Sequence, residues 1–146
     1  MQRQGTARRT PRSEDYLEAV YHLVGEKGYA STVDISERLG VKPPTVSSMI
    51  EKLDAKGYLE HERYRGMRLT EEGEKLARAV IRRHRAVYDF LTMIGIDTDV
   101  AYEDTEGIEH HLHQVTIQRI EKVVEFLKEN PQALSQIRKR SAQPPT

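Results

Sequence analysis

The stretch from residue 31 to residue 59, STVDISERLGVKPPTVSSMIEKLDAKGYL, limits the possible folds more than any other part of the chain. Its first part predicts a short helix that ends at Gly40 and turns three apolar side chains inward: Val33, Ile35 and Leu39. A second helix is predicted to begin at Pro43 and Pro44, because proline is tolerated in the first turn of a helix. Its apolar positions continue to Gly57: Val46, Met49, Ile50 and Leu53. Two helices joined by a glycine-containing turn predict a helix-turn-helix.

The segment LEHERYRGMRLT, residues 59–70, predicts a β-hairpin directly after the second helix. Apolar and polar residues alternate on both sides of a turn expected at Arg65-Gly66, as in two short paired strands. A hairpin at this place is the wing of a winged helix-turn-helix. Such domains lay the second helix in the major groove of DNA and rest the wing on the neighbouring backbone.

Helices are predicted on both sides of this motif. Ser13 is a suitable N-cap for a first helix with Glu14 and Asp15 in its first turn. After the wing, Thr70 is expected to cap a long helix that Gly95 ends. Three more helices are expected at residues 98–113, 116–129 and 132–140. In the middle one, five apolar residues form a single stripe: Ile117, Ile120, Val123, Val124 and Leu127.

The predicted fold class is therefore mainly α, with an N-terminal winged helix-turn-helix followed by an all-helical domain. Residues 1–12 are expected to form a flexible basic arm and residues 13–70 the winged helix-turn-helix. Residues 71–95 form the long connecting helix, and residues 96–146 the helical second domain. Arg8, Arg9 and Arg12 of the arm either contact DNA or belong to an unstructured tail.

The distribution of charge along the chain is more informative than the net charge, which is zero over 146 residues. Residues 1–70 carry twelve Lys and Arg against ten Asp and Glu, whereas residues 96–113 carry six acids and no Lys or Arg. The absence of cysteine excludes disulfides and thiolate metal sites. No apolar run reaches the length of a membrane span, and the N-terminus does not have the apolar core of a signal peptide. We therefore expect a soluble cytoplasmic protein without membrane association.

Short polar and basic residues mark the predicted DNA-binding surface. The recognition helix offers Lys42, Thr45, Ser47, Ser48 and Lys52. The wing offers Arg63, Arg65 and Arg68. The alternative is that the winged helix serves as a protein-interaction module and that these cations form an ordinary solvated face. Because the wing and the recognition helix are basic together, DNA binding is the preferred interpretation.

The segment TEGIEHHLH, residues 105–113, concentrates side chains that bind metal ions. On a continuous helix, spacings of three and four would place four of them on one face: Glu106, Glu109, His110 and His113. Ile108, Leu112 and Val115 would lie on another face and pack inward. Upstream, Asp15 and Glu18 are one turn apart on the first helix, and His84 lies midway along the long helix.

The order of these motifs is specific. Asp-x-x-Glu precedes the winged helix, YRG lies in its wing, RRH follows on the long helix, and EGIEHHL comes last. This order resembles the manganese-responsive branch of the diphtheria toxin repressor family of metal-dependent transcription factors, over nearly the whole chain. The resemblance implies six metal ligands: Asp15, Glu18, His84, Glu106, Glu109 and His110. His111 and His113 do not match ligand positions of the family, and the chain ends without the SH3-like third domain of the iron-sensing branch.

Four carboxylates and two imidazoles form a hard, oxygen-rich ligand set that suits Mn²⁺ or Fe²⁺. Four negative charges would balance two divalent ions, with Glu18 and Glu109 bridging them if the resemblance holds. We therefore predict Mn²⁺, two ions per subunit, with Fe²⁺ and Zn²⁺ as alternatives. The implied partners are a second copy of the chain, in a homodimer, and a palindromic double-stranded DNA operator upstream of manganese uptake genes.

Two other classes of function remain open at this point. Paired carboxylates and histidines also form di-metal enzyme sites, but the chain has neither HExxH nor the two Glu-x-x-His repeats of di-iron bundles. We therefore expect no enzyme. A winged-helix regulator that responds to another signal, with an acidic helix that binds nothing, is the second alternative.

Overall fold

The computed structural model describes residues 10–62 and 66–142. Within these ranges it contains seven α-helices, one 3₁₀ turn and one two-stranded sheet. The chain divides into two compact units, Met1–Val80 and Ile81–Thr146. The mainly helical class with a small N-terminal hairpin is confirmed. Arg8 and Arg9 of the predicted arm and the wing-tip residues 63–65 lie outside the described residues.

The first unit begins with α1 (Ser13–Lys27), α2 (Thr32–Leu39) and α3 (Pro43–Ala55). The N-cap of α1 is Arg12 and not Ser13, so the predicted cap was wrong by one residue. The Arg12 backbone N–H donates to Oδ2 of Asp15 at 2.6 Å, and this bond replaces the expected serine cap. The glycine turn between α2 and α3 is confirmed, because Gly40 caps α2 in the left-handed conformation.

The helix α2 differs from the prediction in the face that it buries. Ile35 is fully buried and Leu39 packs against the core, but Val33 is 59% exposed. Positions two apart lie on nearly opposite sides of a helix, so Val33 and Ile35 cannot both face inward. Ser31 sets the start of this helix, because its Oγ accepts from the Asp34 N–H at 3.1 Å.

The wing consists of β1 (Leu59–Glu62) and β2 (Gly66–Leu69), which pair antiparallel with Leu59 opposite Leu69. The hairpin is joined to the helical part by a short bridge, in which Ala30 and Met67 exchange both backbone hydrogen bonds at 2.9 and 2.8 Å. Buried residues of the helices and both strands share one apolar core, which includes Tyr16, Leu17, Val20, Ile35, Val46, Leu53, Leu59 and Met67.

The long helix α4 (Glu71–Met93) contains the division between the units. The predicted cap is confirmed, because the Thr70 Oγ1 accepts from the Gly73 N–H at 3.1 Å. The predicted stop is confirmed as well, since Gly95 follows the helix with a φ of 100°. Beyond it lie α5 (Thr98–Ile108), the 3₁₀ turn Glu109–His111, α6 (Gln114–Glu129) and α7 (Pro131–Ser141).

The second unit has a small core around Ala86 and Val87 of α4 and Ile117 of α6, with Leu112 packed against it. Val124 and Leu127 of the predicted stripe are buried too. Three side chains that were expected to pack inward are exposed instead: Ile108 at 43%, Val115 at 58% and Val123 at 44%. Among the helices of the described residues, none is long and apolar enough to cross a membrane.

Candidate metal centre and DNA-binding surface

Two elements of the second unit position the acidic candidate ligands. Glu106 lies in the last turn of α5, and Glu109 and His110 lie in the 3₁₀ turn that follows. The predicted single helix from residue 98 to residue 113 was therefore wrong at its end. The backbone becomes extended at Leu112, whose side chain packs on the small core, and His113 is the N-cap of α6. A 3₁₀ turn is a common way for an α-helix to end.

His84 of α4 brings two of these carboxylates together. Its Nδ1 atom lies 3.1 Å from Oε1 of Glu106 and 3.0 Å from Oε2 of Glu109. The three residues form a cluster that could hold a metal ion. The Glu109 side chain is 1% exposed, and a fully buried carboxylate is rare unless an opposite charge compensates it.

The contact between His84 and Glu109 is not an ordinary hydrogen bond. The His84 Nδ1 and the Glu109 Oε2 are both buried and neither has a hydrogen-bond partner of acceptable geometry, although they are 3.0 Å apart. Two ligand atoms that lie at right angles and about 2.1 Å from one ion are roughly 3 Å apart. The spacing and the missing hydrogen bonds therefore fit atoms that converge on a shared cation.

The two carboxylates change the acid–base properties of the imidazole. Glu106 first, and Glu109 second, raise the pKa of His84 from 6.5 to about 10, against a smaller opposite effect of burial. Each carboxylate favours the protonated ring mainly through its close approach to Nδ1, where it can accept the proton, and to a smaller extent through its opposite charge. A divalent cation would take the place of that proton, so the donor set fits a metal ion.

His110 extends the same cluster. Its Nε2 atom lies 3.3 Å from Oε1 of Glu109, and its side chain is 6% exposed. On the other side of the ring, an Arg83 nitrogen lies 3.5 Å from Nδ1. Four of the six predicted ligands therefore lie together in the second unit.

Asp15 and Glu18 belong to the first unit, where they lie one turn apart on α1. Asp15 caps the helix through its bond with Arg12, as described above. Glu18 lies 3.6 Å from Nε2 of His22, four residues later. His111 and His113 are exposed.

The predicted DNA contacts of α3 all lie on its solvent side. Each of the five is exposed: Lys42, Thr45, Ser47, Ser48 and Lys52. Buried Val46, Ile50 and Leu53 hold the opposite face of α3 in the core. Arg68 of β2 is exposed too, whereas Arg63 and Arg65 lie outside the described residues.

Two family models match consecutive parts of this chain. The iron dependent repressor N-terminal DNA-binding domain matches residues 9–67, and the iron dependent repressor metal-binding and dimerisation domain matches residues 70–138. The chain belongs to the iron-dependent repressor family. The resemblance to the diphtheria toxin repressor family is thereby confirmed, with its two domain types in the predicted order.

Relatives of known function lie within the manganese branch. The transcriptional regulator MntR of Lysinibacillus sphaericus is 46% identical over 128 residues, which are 88% of this chain and 92% of that protein. MntR of Bacillus subtilis is 46% identical over 121 residues, 83% of this chain and 85% of that protein.

Two solved structures are similar in fold. The manganese regulator SloR has a TM-score of 0.73 at 31% identity, over 81% of this chain and 55% of that one.

A manganese-dependent transcriptional repressor in complex with manganese has a TM-score of 0.67 at 29% identity. The match covers 79% of this chain and 53% of that one. This chain thus spans about half the length of these solved relatives, but most of the length of the MntR proteins.

Sequence reasoning did not identify two polar residues beside the centre, one partly buried and one fully buried. Arg83 approaches His110, and Thr105 is fully buried one turn before Glu109. Thr105 shares a helical face with buried Ala101 and Glu109, because the three are four residues apart, and that spacing was the available signal.

Proposed function

We propose that this protein is a manganese-responsive repressor that binds its DNA operator when divalent metal occupies the centre. The observation that carries the proposal is the cluster of His84, Glu106 and Glu109, with its buried carboxylate and its unsatisfied ligand atoms. The winged helix, whose recognition helix exposes a polar face, would provide the DNA binding. The similarity to MntR proteins over most of the chain supports the choice of metal.

The full ligand set of the proposal has six members: Asp15, Glu18, His84, Glu106, Glu109 and His110. Its oxygen-rich chemistry favours Mn²⁺, although the Irving–Williams order gives Zn²⁺ and Cu²⁺ the higher intrinsic affinity. Selectivity must therefore come from coordination number and geometry. The four carboxylates would balance two divalent ions, and we propose two per subunit, with Glu18 and Glu109 as the bridging ligands. Fe²⁺ and Zn²⁺ are the alternative ions in the same site.

The proposed ligands come from both units, and this is the basis of regulation. Asp15 and Glu18 belong to the helix that opens the DNA-binding unit, whereas the other four ligands belong to the second unit. Without a cation, carboxylates that share a site repel one another. When metal ions occupy the site, the same carboxylates would bind these ions. This would favour one orientation of the recognition helix. A tenfold gain in operator affinity requires only about 1.4 kcal/mol of coupling.

A homodimer would present two recognition helices to the two halves of a palindromic operator. The matching family model describes the C-terminal part as a dimerisation domain. The second unit also exposes several large apolar side chains, which an interface between two copies of the chain would cover. They include Val100, Tyr102, Ile108, Val115, Val123 and Phe126.

The decisive experiment is protection of a palindromic DNA site, titrated in parallel with Mn²⁺, Fe²⁺ and Zn²⁺. We expect protection by the wild type to require metal, and to be lost in Glu106→Gln at Mn²⁺ concentrations that saturate the wild type. Glu103→Gln is the matched control, because it removes an exposed charge from the same helix. Metal-independent protection by the wild type, or equal metal response in both variants, would refute the proposal. Hydrolase assays with Mn²⁺, run in parallel, test the enzyme alternative.

A further inference from the structure

The Thr105 hydroxyl stands out among the polar groups of the second unit. Its residue is 0% exposed, and its Oγ1 has no hydrogen-bond partner. A helical threonine commonly satisfies its hydroxyl by donating to the carbonyl four residues earlier. Thr92 does so with the Tyr88 carbonyl at 3.1 Å, and Thr105 does not. Since an unsatisfied buried hydroxyl costs free energy, another acceptor is expected in the functional state.

The helix geometry points to Glu109 as that acceptor. The Glu109 N–H donates to the Thr105 carbonyl, so the helical spacing of the two residues is intact. Side chains four apart share a face, and helical side chains lean towards the N-terminus. The Glu109 side chain therefore leans back over the turn that carries Thr105. Both residues are buried, and the Glu109 Oε2 is likewise without a hydrogen-bond partner.

The two groups are chemically complementary. An ionised carboxylate only accepts hydrogen bonds, and a hydroxyl can donate one. Among the described residues, the Glu109 carboxylate lies close to two imidazoles, His84 at 3.0 Å and His110 at 3.3 Å. A cation bound through the facing nitrogens would engage those rings. The Glu109 Oε2, which has no hydrogen-bond partner, would keep acceptor capacity for the Thr105 hydroxyl.

We propose that Thr105 is a positioning residue of the metal centre, whose hydroxyl donates to the Glu109 carboxylate in the metal-loaded protein and fixes its orientation. The inference rests on the proposed function, because it requires that Glu109 binds the metal. Partners that hydrogen-bond to a ligating side chain typically change metal affinity by about 10- to 100-fold. Thr105 would therefore act on affinity without touching the ion.

The proposal makes opposite predictions for the two states of the protein. Thr105→Val keeps the shape of the side chain and removes the hydroxyl. In the metal-free protein it removes an unsatisfied buried group, so thermal stability is expected to stay the same or rise. In the loaded protein it removes a hydrogen bond, so Mn²⁺ affinity is expected to fall about tenfold or more. A hydroxyl with only a structural role would give the reverse, a loss of stability without a loss of affinity.

The test uses the full chain and four proteins: wild type, Thr105→Val, Thr105→Ser and Thr92→Val. Mn²⁺ affinity is measured by competition with a fluorescent chelator, and thermal unfolding is measured in EDTA. We expect weakened Mn²⁺ binding in Thr105→Val alone, with Thr105→Ser restored to within a few-fold of the wild type. Thr92→Val is the matched control, because its hydroxyl already has a backbone acceptor.

The outcomes separate this inference from the function on which it rests. Wild-type affinity in Thr105→Val, or a lower unfolding temperature of that variant in EDTA, would overturn the role of Thr105 while leaving the metal sensor intact. A wild type that does not bind Mn²⁺ would overturn both. Equal weakening in Thr105→Val and Thr105→Ser would show that the hydroxyl is not the active group.

Discussion

The Nδ1 atom of His84 lies 3.0 Å from Oε2 of Glu109, and both atoms are buried without a hydrogen bond of acceptable geometry. The pair joins the long helix α4 to the 3₁₀ turn after α5. An arrangement of this kind is costly unless a proton or a metal cation compensates the buried carboxylate. A divalent cation satisfies a carboxylate and an imidazole at once, and this relationship is the physical basis of the proposed sensor.

Metal binding is expected to release a proton from His84. The carboxylates raise its pKa to about 10, so the ring is protonated at neutral pH in the metal-free protein. Since a metal ligand must be deprotonated, each unit of pH between about 7 and 9 should raise Mn²⁺ affinity by about tenfold. Calorimetry in buffers of different ionisation enthalpy measures the released proton directly.

The control for this prediction is His111→Gln, which removes an exposed histidine two residues after Glu109. His111→Gln should release the same number of protons as the wild type, and His84→Gln should release about one fewer. If affinity did not vary with pH over this range, His84 would not be a ligand.

Arg65→Ala is expected to weaken operator binding and to flatten its salt dependence. Each phosphate contact that is lost lowers the slope of log K against log salt by about 0.9 for duplex DNA. The measurement is a series of binding titrations at several salt concentrations with saturating Mn²⁺. Lys122→Ala is the control, because it removes an exposed cation from α6. An unchanged slope in Arg65→Ala would remove the wing tip from the DNA contacts.

Gly66→Ala is expected to destabilise the winged helix. Gly66 has a φ of 132°, and an added Cβ would collide with the backbone oxygen of Ala30. Strain in this region of backbone space, together with the collision, should cost roughly 3 kcal/mol in the free energy of unfolding. Gly25→Ala provides the contrast, because Gly25 lies in α1 with open space around it. That change should stabilise the protein by up to about 1 kcal/mol. Urea unfolding measures both, and equal stability of the two variants would refute the account of the bridge.

Protonation of the Asp34 carboxylate is expected to lower the stability of the folded protein at acid pH. The hydrogen bond from Lys27 at 2.8 Å, and secondly those of Ser31, lower the pKa of Asp34 below 3.8. A group with a lowered folded pKa contributes stability above its unfolded pKa and loses it as the pH falls through the folded value. We expect Asp34→Asn to cost about 0.5–1 kcal/mol at pH 7, and the difference from wild type to shrink below pH 4. Urea midpoints across this pH range test it, and a constant difference would contradict it.

Local rules were sufficient for much of the fold. Gly40, Thr70 and Gly95 set helix boundaries where the sequence predicts them, because caps and left-handed glycines act within one turn. The same rules failed at Val33, where an inward apolar residue was expected two positions from Ile35. They also failed at Val123, which belongs to the predicted apolar stripe and was expected to be buried but is exposed.

The candidate site was predictable in its ligand types but not in its local geometry. Glu106, Glu109 and His110 were expected on one continuous helix, whereas the helix ends at Ile108 and a 3₁₀ turn carries the last two. Leu112 directly follows this turn and packs against the small core, and such a tertiary contact is not visible in the local periodicity. The proximity of His84 to Glu109 depends on the packing of distant segments, so periodicity alone could not show it.

Anomalous diffraction at the manganese absorption edge, on crystals of the full chain grown with saturating Mn²⁺, would locate the bound ions. The proposed metal centre predicts a manganese peak within bonding distance of Nδ1 of His84 and of carboxylate oxygens of Glu106 and Glu109. Manganese peaks found only away from these three residues, or no peak in their midst at saturation, would contradict it.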